Sequence, residues 1–139
     1  MNIYLRMKLK AIGTINSPYK VKGDSPRQGR FSEELSKITV FEEYAQGLQD
    51  IEKREHLIIL YGLDRAEDYK LMVIPPGKTK EQGLFSTRAP VRPNPIALCM
   101  VKLIKVEGNV LTVKWLDALD GSPLLDIKPF LPEVDCTLK

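Results

Sequence analysis

The sequence predicts a mainly β fold: an antiparallel barrel or sandwich with one or two short helices. Three observations carry this. Segments with strand character outnumber helical ones several to one. The strands are short and end at turns rich in glycine and proline. Strand and helix do not alternate in the recurring way that builds a parallel sheet. The chain has 139 residues, 43% of them hydrophobic, which suits a single domain over residues 1–139 with a core of its own. No apolar run is long enough to span a membrane.

The elements follow in order. Residues 8–15 alternate loosely and are expected as the first strand, closed by Asn16-Ser17-Pro18. A polar loop comes next, with Ser25-Pro26-Arg27-Gln28-Gly29-Arg30 at its heart. Pro26 either orients Arg27 and Gln28 towards a ligand or shapes an exposed turn. Residues 36–41 form a short strand. Residues 42–55 are the best helix candidate, because Tyr44, Leu48 and Ile51 fall at i, i+4 and i+7 on one apolar stripe. Gly47 costs that helix about 1 kcal/mol relative to alanine and can divide it into two pieces. Residues 56–61 read as a buried strand with His56, a structural histidine, at its mouth. Residues 69–74 read as another strand, stopped by Pro75-Pro76. Residues 96–107 and 110–117 make the clearest hairpin, joined by Gly108-Asn109, a pair that tolerates the positive φ of a tight turn. Leu111, Val113 and Trp115 share one face of its second strand, and Thr112 and Lys114 the other.

Composition excludes several classes of function. The N-terminus lacks the apolar core of a signal peptide, and Met7 is an alternative start. Cys99 and Cys136 are far apart and outside any metal-ligand spacing, so both are expected reduced, and the expected place is the cytoplasm. A lone histidine, His56, argues against a zinc site. Glycine-rich dinucleotide loops and P-loops are absent. The net charge is +3, from 21 basic and 18 acidic residues. Residues 78–92 hold four basic side chains (Lys78, Lys80, Arg88, Arg92) and one acidic (Glu81), which equals that whole surplus. This segment is either a solvated loop or an anion-binding surface.

Two polar motifs flank the hairpin. In the first, prolines at 90, 93 and 95 hold Arg88, Arg92 and Asn94 in a nearly extended loop. Arginine offers planar donors to carboxylate or phosphate, and Asn94 can pair with an adenine edge or brace a turn. In the second, Asp117, Asp120 and Asp126 gather near Lys128. These groups either build a site or pair across adjacent loops to close the barrel. Three carboxylates can hold a divalent metal, but Lys128 and the arginines oppose one, so no metal is expected. Gly121-Ser122 makes a turn whose backbone N–H groups can face a ligand.

The runs Gly83-Leu84-Phe85-Ser86-Thr87-Arg88, Arg92-Pro93-Asn94-Pro95-Ile96, Asp120-Gly121-Ser122-Pro123 and Asp126-Ile127-Lys128-Pro129 strongly resemble the TsaA-like family, whose characterised type is the TrmO tRNA (adenine-N6)-methyltransferase. The resemblance covers nearly the whole chain. It implies a small β-barrel, usually a homodimer, that binds S-adenosylmethionine and methylates N6-threonylcarbamoyladenosine beside the tRNA anticodon. It implies cofactor contacts from Pro26, Arg27, Gln28, Asp64, Arg65, Arg88, Leu98 and the turn Asp117, Ala118, Leu119 and Asp120. It gives the tRNA and the reaction to Arg92, Asn94, Asp126 and Lys128. In those roles Arg88 suits the cofactor carboxylate, and Asp117 or Asp120 its sulfonium or amino group. Asp120 or Asp126 takes the proton of the accepting nitrogen, and Lys128 and Arg92 hold phosphates and the threonyl carboxylate. The chain departs from the pattern at Phe130, often tyrosine in the family, and at Asp64-Arg65, where bacterial members carry a histidine-containing pair. It also ends soon after Asp135, where longer members continue into a C-terminal domain. That leaves tRNA binding to a dimer, a partner or a different acceptor. The alternatives are a non-catalytic nucleotide- or RNA-binding barrel and a methyltransferase acting on a small molecule.

Overall fold

Six strands close into an antiparallel barrel in the computed structural model, which describes residues 7–21, 23–24, 32–63 and 68–137. The strands are β1 (Gly13–Asn16), β2 (Leu35–Val40), β3 (His56–Gly62), β6 (Ile96–Glu107), β7 (Val110–Lys114) and β8 (Pro123–Pro129). Their order around the barrel is β1-β2-β7-β6-β3-β8, and β8 returns to β1. A two-stranded strap, β4 (Met72–Val73) with β5 (Gln82–Gly83), stands apart.

Period-two alternation fills the barrel. In β3, Leu57, Ile59 and Tyr61 are buried and their neighbours are half exposed. Cys99 and Val101 of β6, Leu111 and Val113 of β7 and Leu124 of β8 meet them inside. Burying each large aliphatic chain contributes about 1.5–3 kcal/mol, which fixes the register, since a one-residue slip would turn this whole set outward. β6 is twelve residues long because its first half pairs with β3 and its second half with β7. The Gly108-Asn109 turn between β6 and β7 is where the sequence places it. Gly108 supplies φ +61°, and the Asn109 side-chain amide donates to Val40 O at 2.6 Å.

The far end of the barrel, where β2 and β8 finish and β3 begins, is covered by two short 3-10 helices, Glu42–Leu48 and Ile51–Lys53. The predicted helix is therefore two pieces, but the break falls after Leu48 rather than at Gly47. Asp50 takes a left-handed φ of 70° there. Tyr44, Leu48 and Ile51 do pack against the core. One short α-helix, Pro132–Asp135, follows β8.

Three expectations need correction. The first strand spans Gly13–Asn16, not residues 8–15; residues 7–10 are exposed, and only Ile12 extends the ladder, through Leu124 O and Phe41 N–H. The expected strand over residues 69–74 shrinks to Met72–Val73, with Tyr69, Leu71, Met72 and Ile74 exposed, because it pairs only with the short β5 and never joins the barrel. Trp115 does not continue the face of Leu111 and Val113. β7 ends at Lys114, Trp115 turns to φ +76°, and its ring stacks on His56 with centroids 5.4 Å apart. Thr112, assigned to the other face, is itself buried.

Candidate active site

The first polar motif and the turn of the second, residues 115–122, lie at the end of the barrel opposite the 3-10 helices, where β1, β3 and β7 finish and β6 and β8 begin. Asp126 and Lys128 run along β8 towards those helices. The loop over residues 84–95 enters β6 at this end, tied to β3 by Leu63 N–H to Pro95 O at 2.8 Å. The turn over residues 115–122 carries the chain from β7 to β8.

Asp117 sits at the start of that turn, half-buried. Its Oδ1 accepts the Tyr61 hydroxyl at 2.7 Å. Tyr61 closes the inner row of β3, and burial together with the Asp117 charge pushes its pKa well above the usual tyrosine range. The Cys99 thiol, on the inner row of β6, donates to Trp115 O at 3.1 Å. Burial and the Asp117 carboxylate push it up to about 12, while the positive charge of Arg88 works the other way. Tyr61 and Asp117 are in contact, and the charges of Asp117 and, more weakly, Arg88 both act on the Cys99 thiol. Arg88 is exposed and makes no hydrogen bond or ion pair among the described residues.

Asp120 is placed differently. Its Oδ1 accepts the Ser17 N–H at 2.9 Å and its Oδ2 lies 3.1 Å from Lys20 Nζ. The Ser17 N–H and Lys20 hold its pKa below the ordinary carboxylate value. Ala118 O accepts the Ser17 hydroxyl at 2.7 Å. Asp120 thus clasps the turn to the segment after β1. The turn's backbone donors do not face a ligand: Asp120 N–H goes to Tyr19 O, Gly121 N–H to Ile15 O and Ser122 N–H to Leu119 O. Gly121, at φ +84°, makes the return possible.

Arg92 is also turned inward. Its Nη1 donates to Ala89 O at 2.8 Å and Thr87 O at 3.1 Å, and its Nη2 approaches Leu84 O at 3.4 Å. Its guanidinium also lies over the Phe85 ring, 5.8 Å from the centroid. Asn94 is exposed, and its backbone carbonyl accepts Ile96 N–H at 2.8 Å.

Asp126, Lys128 and Leu98 stand on the outer wall. The register sets Leu98 beside Leu60 and Leu60 beside Asp126, with Met100, Ile58 and Lys128 in the next outward row. Lys128 Nζ is 3.0 Å from Asp126 Oδ2, and Asp126 Oδ1 accepts Ile127 N–H at 2.9 Å. Asp126 also edges a groove of about 610 Å³ beside Tyr44, Leu48 and Ile51. The predicted site residues therefore divide into a rim cluster (Arg88, Asp117, Ala118, Leu119, Asp120) and a wall cluster (Leu98, Asp126, Lys128). Leu98 joins them, being next to Cys99 on β6. Pro26, Arg27, Gln28, Asp64 and Arg65 lie outside the described residues. Sequence reasoning did not single out Tyr61 and Cys99. The available signal was parity: a tyrosine in step with Leu57 and Ile59, at the strand end that meets the motif loops, is aimed inward with a hydroxyl to satisfy.

The family description tRNA-methyltransferase O N-terminal domain matches residues 14–136. The chain belongs to this family. An Archaeoglobus fulgidus S-adenosyl-L-methionine-binding protein is 57% identical to it over 130 residues, covering 94% of each chain. The mouse tRNA (adenine(37)-N6)-methyltransferase is 36% identical over 132 residues, covering 89% of this TrmO-family chain and 31% of the mouse protein. The crystal structure of TrmO from P. aeruginosa superposes with a TM-score of 0.82 at 27% identity, over 99% of this chain and 60% of that one. The TrmO-family barrel described above is thus shared with solved structures about two-thirds longer again than itself.

Proposed function

We propose that this TrmO-family chain is an S-adenosylmethionine-dependent methyltransferase acting on tRNA, and that its acceptor is N6 of N6-threonylcarbamoyladenosine beside the anticodon. One observation carries the reading furthest. Arg88, an exposed guanidinium with no hydrogen bond or ion pair among the described residues, acts on the same Cys99 thiol as the half-buried carboxylate of Asp117, which Tyr61 holds in place. This donor set fits a ligand with a carboxylate, an ammonium and a sulfonium. Arg88 offers a planar fork to the carboxylate, and Asp117 offers negative charge to the cationic groups. Leu98, Ala118 and Leu119, with Pro26, Arg27, Gln28, Asp64 and Arg65, complete the proposed pocket. The names of the relatives agree with this chemistry.

The bound cofactor supplies an electrophilic methyl group. The residues of this chain then act mainly by position, since direct displacement gains most from alignment. Asp117, fixed by the Tyr61 hydroxyl, orients the donor end. Asp120 keeps the turn in place through Ser17 and Lys20. Asp126, on the wall beside Leu60 and Leu98, is the carboxylate we assign to the N6 proton, with Lys128 next to it for phosphate or the threonyl carboxylate. Asn94 contacts the acceptor base. The exposed apolar side chains Ile96 and Leu98 on this wall support a homodimer in which a second copy shields the reaction from water. We place the active protein in the cytoplasm as one domain over residues 1–139.

The test is transfer of labelled methyl from S-adenosylmethionine to tRNA with and without the threonylcarbamoyl group. Transfer to modified tRNA only, lost in Arg88→Ala and Asp117→Asn, is the expected result. Cofactor binding with no transfer to any tRNA would replace this reading with a binding barrel or a small-molecule enzyme.

A further inference from the structure

We propose that Phe85 is a stacking platform for an unpaired nucleobase of the RNA substrate. The inference rests on the tRNA reading above and adds the way the RNA is held. Phe85 is 74% exposed, and no described residue stacks on its ring apart from the Arg92 guanidinium, 5.8 Å from the centroid. At that exposure the ring contributes little burial to the fold. It is nevertheless held in a fixed place. Its neighbour Leu84 is buried, and Leu84 N–H is bonded to Leu71 O at 2.8 Å. The Ser86 hydroxyl donates to Gly83 O at 2.7 Å and the Thr87 hydroxyl to Leu84 O at 2.8 Å. The guanidinium against the ring is anchored on the Ala89 and Thr87 carbonyls. Ring and cation are therefore preorganised, which lowers the entropy lost when a base stacks.

Charge supports the same partner. Lys78, Lys80 and Arg88 lie in the segment on either side of Phe85, with Glu81 the only acid from 78 to 92. An exposed ring among cations is how single-stranded nucleic acid is gripped, by stacking on the base and by charge along the backbone. The residues that follow the ring, Ser86, Thr87 and Arg88, are polar, while exposed Leu71 and Met72 of the adjoining strap lie on its other side, so oligomeric state is read alongside RNA binding.

The probe is a fluorescein-labelled anticodon stem-loop RNA, titrated with the whole protein and with Phe85→Ala and Phe85→Trp. Phe85→Ala is expected to weaken RNA binding by about tenfold or more, with S-adenosylmethionine affinity and melting temperature unchanged. Phe85→Trp is expected to retain binding and to show tryptophan quenching on RNA addition. Equal RNA affinity for Phe85→Ala and the parent overturns the platform while leaving the tRNA reading intact. A parallel loss of cofactor affinity, or a change of oligomeric state, also overturns it, assigning the ring to the cofactor pocket or to a protein interface. A parent that binds the cofactor but no RNA overturns both readings.

Discussion

Arg92 gives the sharpest contrast between charge and shape. If its role is to brace the loop over residues 84–95, then Arg92→Lys, which keeps the charge and loses the fork, should lose at least about half of what Arg92→Ala loses. Two of its contacts, 2.8 Å to Ala89 O and 3.1 Å to Thr87 O, are ordinary hydrogen bonds. The third, 3.4 Å to Leu84 O, lies beyond the usual range and adds little. A hydrogen bond from a charged donor contributes about 1.5–3 kcal/mol. Arg92 is half-buried, so the low end applies, and two such bonds come to about 3 kcal/mol. Both bonds leave one nitrogen, Nη1; the lysine ammonium sits one bond nearer the backbone and lacks the planar frame that aims those two N–H groups, so it should recover about half at most. The cost falls first on the loop, because the barrel hydrogen bonds do not depend on Arg92. Hydrogen exchange at the Thr87 and Ala89 amides, which Leu84 O and the Thr87 hydroxyl accept, should therefore speed up in both variants. The barrel amides of Ile59 and Val101 should change little. If Arg92→Lys exchanges like the parent at Thr87 and Ala89 while Arg92→Ala loses RNA affinity, Arg92 works as a charge and the brace argument is wrong.

Further outcomes follow from the same geometry. Tyr61→Phe removes the donor to Asp117 Oδ1 from a buried ring; it should cost about 1.5–3 kcal/mol in urea unfolding and should weaken cofactor binding, and unchanged binding would detach Asp117 from the cofactor. Asp120 is held below its ordinary value of 3.8 by Ser17 and Lys20, so its contribution is present above about pH 4 and is lost as pH falls through the folded-state value. Asp120→Asn should melt lower at neutral pH, with a flatter decline into acid; parallel curves would contradict the clasp. Cys99 is raised from 9.0 to about 12, so the neutral thiol favours the fold below pH 9, and that share fades as pH climbs from there towards 12. In the native protein at pH 8, iodoacetamide should label the exposed Cys136 and spare the buried Cys99, as mass spectrometry of the peptides would show.

Strand parity and turn chemistry made the barrel legible. Residues 56–61 and the hairpin around Gly108-Asn109 announce themselves, because buried strands need an apolar row and tight turns need positive φ. Residues 8–10 and 69–74 misled for one shared reason. Their local pattern suits a strand, but a strand exists only where a neighbour supplies the other half of the ladder, and the barrel closes without them. Trp115 misled because alternation says nothing about where a strand stops; the gain of stacking on His56 and of turning the chain toward β8 outweighs a left-handed φ. At the site, the motifs showed which residues matter but not which way they face. Arg92 and Asp120 carry the charges a ligand would need, and both are engaged by the protein's own carbonyls, N–H groups and lysine. Arg88 and Asp117 cannot be told apart from them by residue type. The partnership of Tyr61 with Asp117 spans 56 positions, a distance at which only the folded barrel brings two side chains together.

The central claim is that Arg88 and Asp117 form the cofactor end of a methyltransferase site. Calorimetric titration with S-adenosylmethionine tests it most directly, on the parent protein, Arg88→Ala and Asp117→Asn. The account predicts binding near micromolar for the parent, about −8 kcal/mol, lost in both variants while their melting temperatures stay close to the parent's. No heat from the folded parent at millimolar cofactor, with or without tRNA, would contradict it, as would full binding in Arg88→Ala.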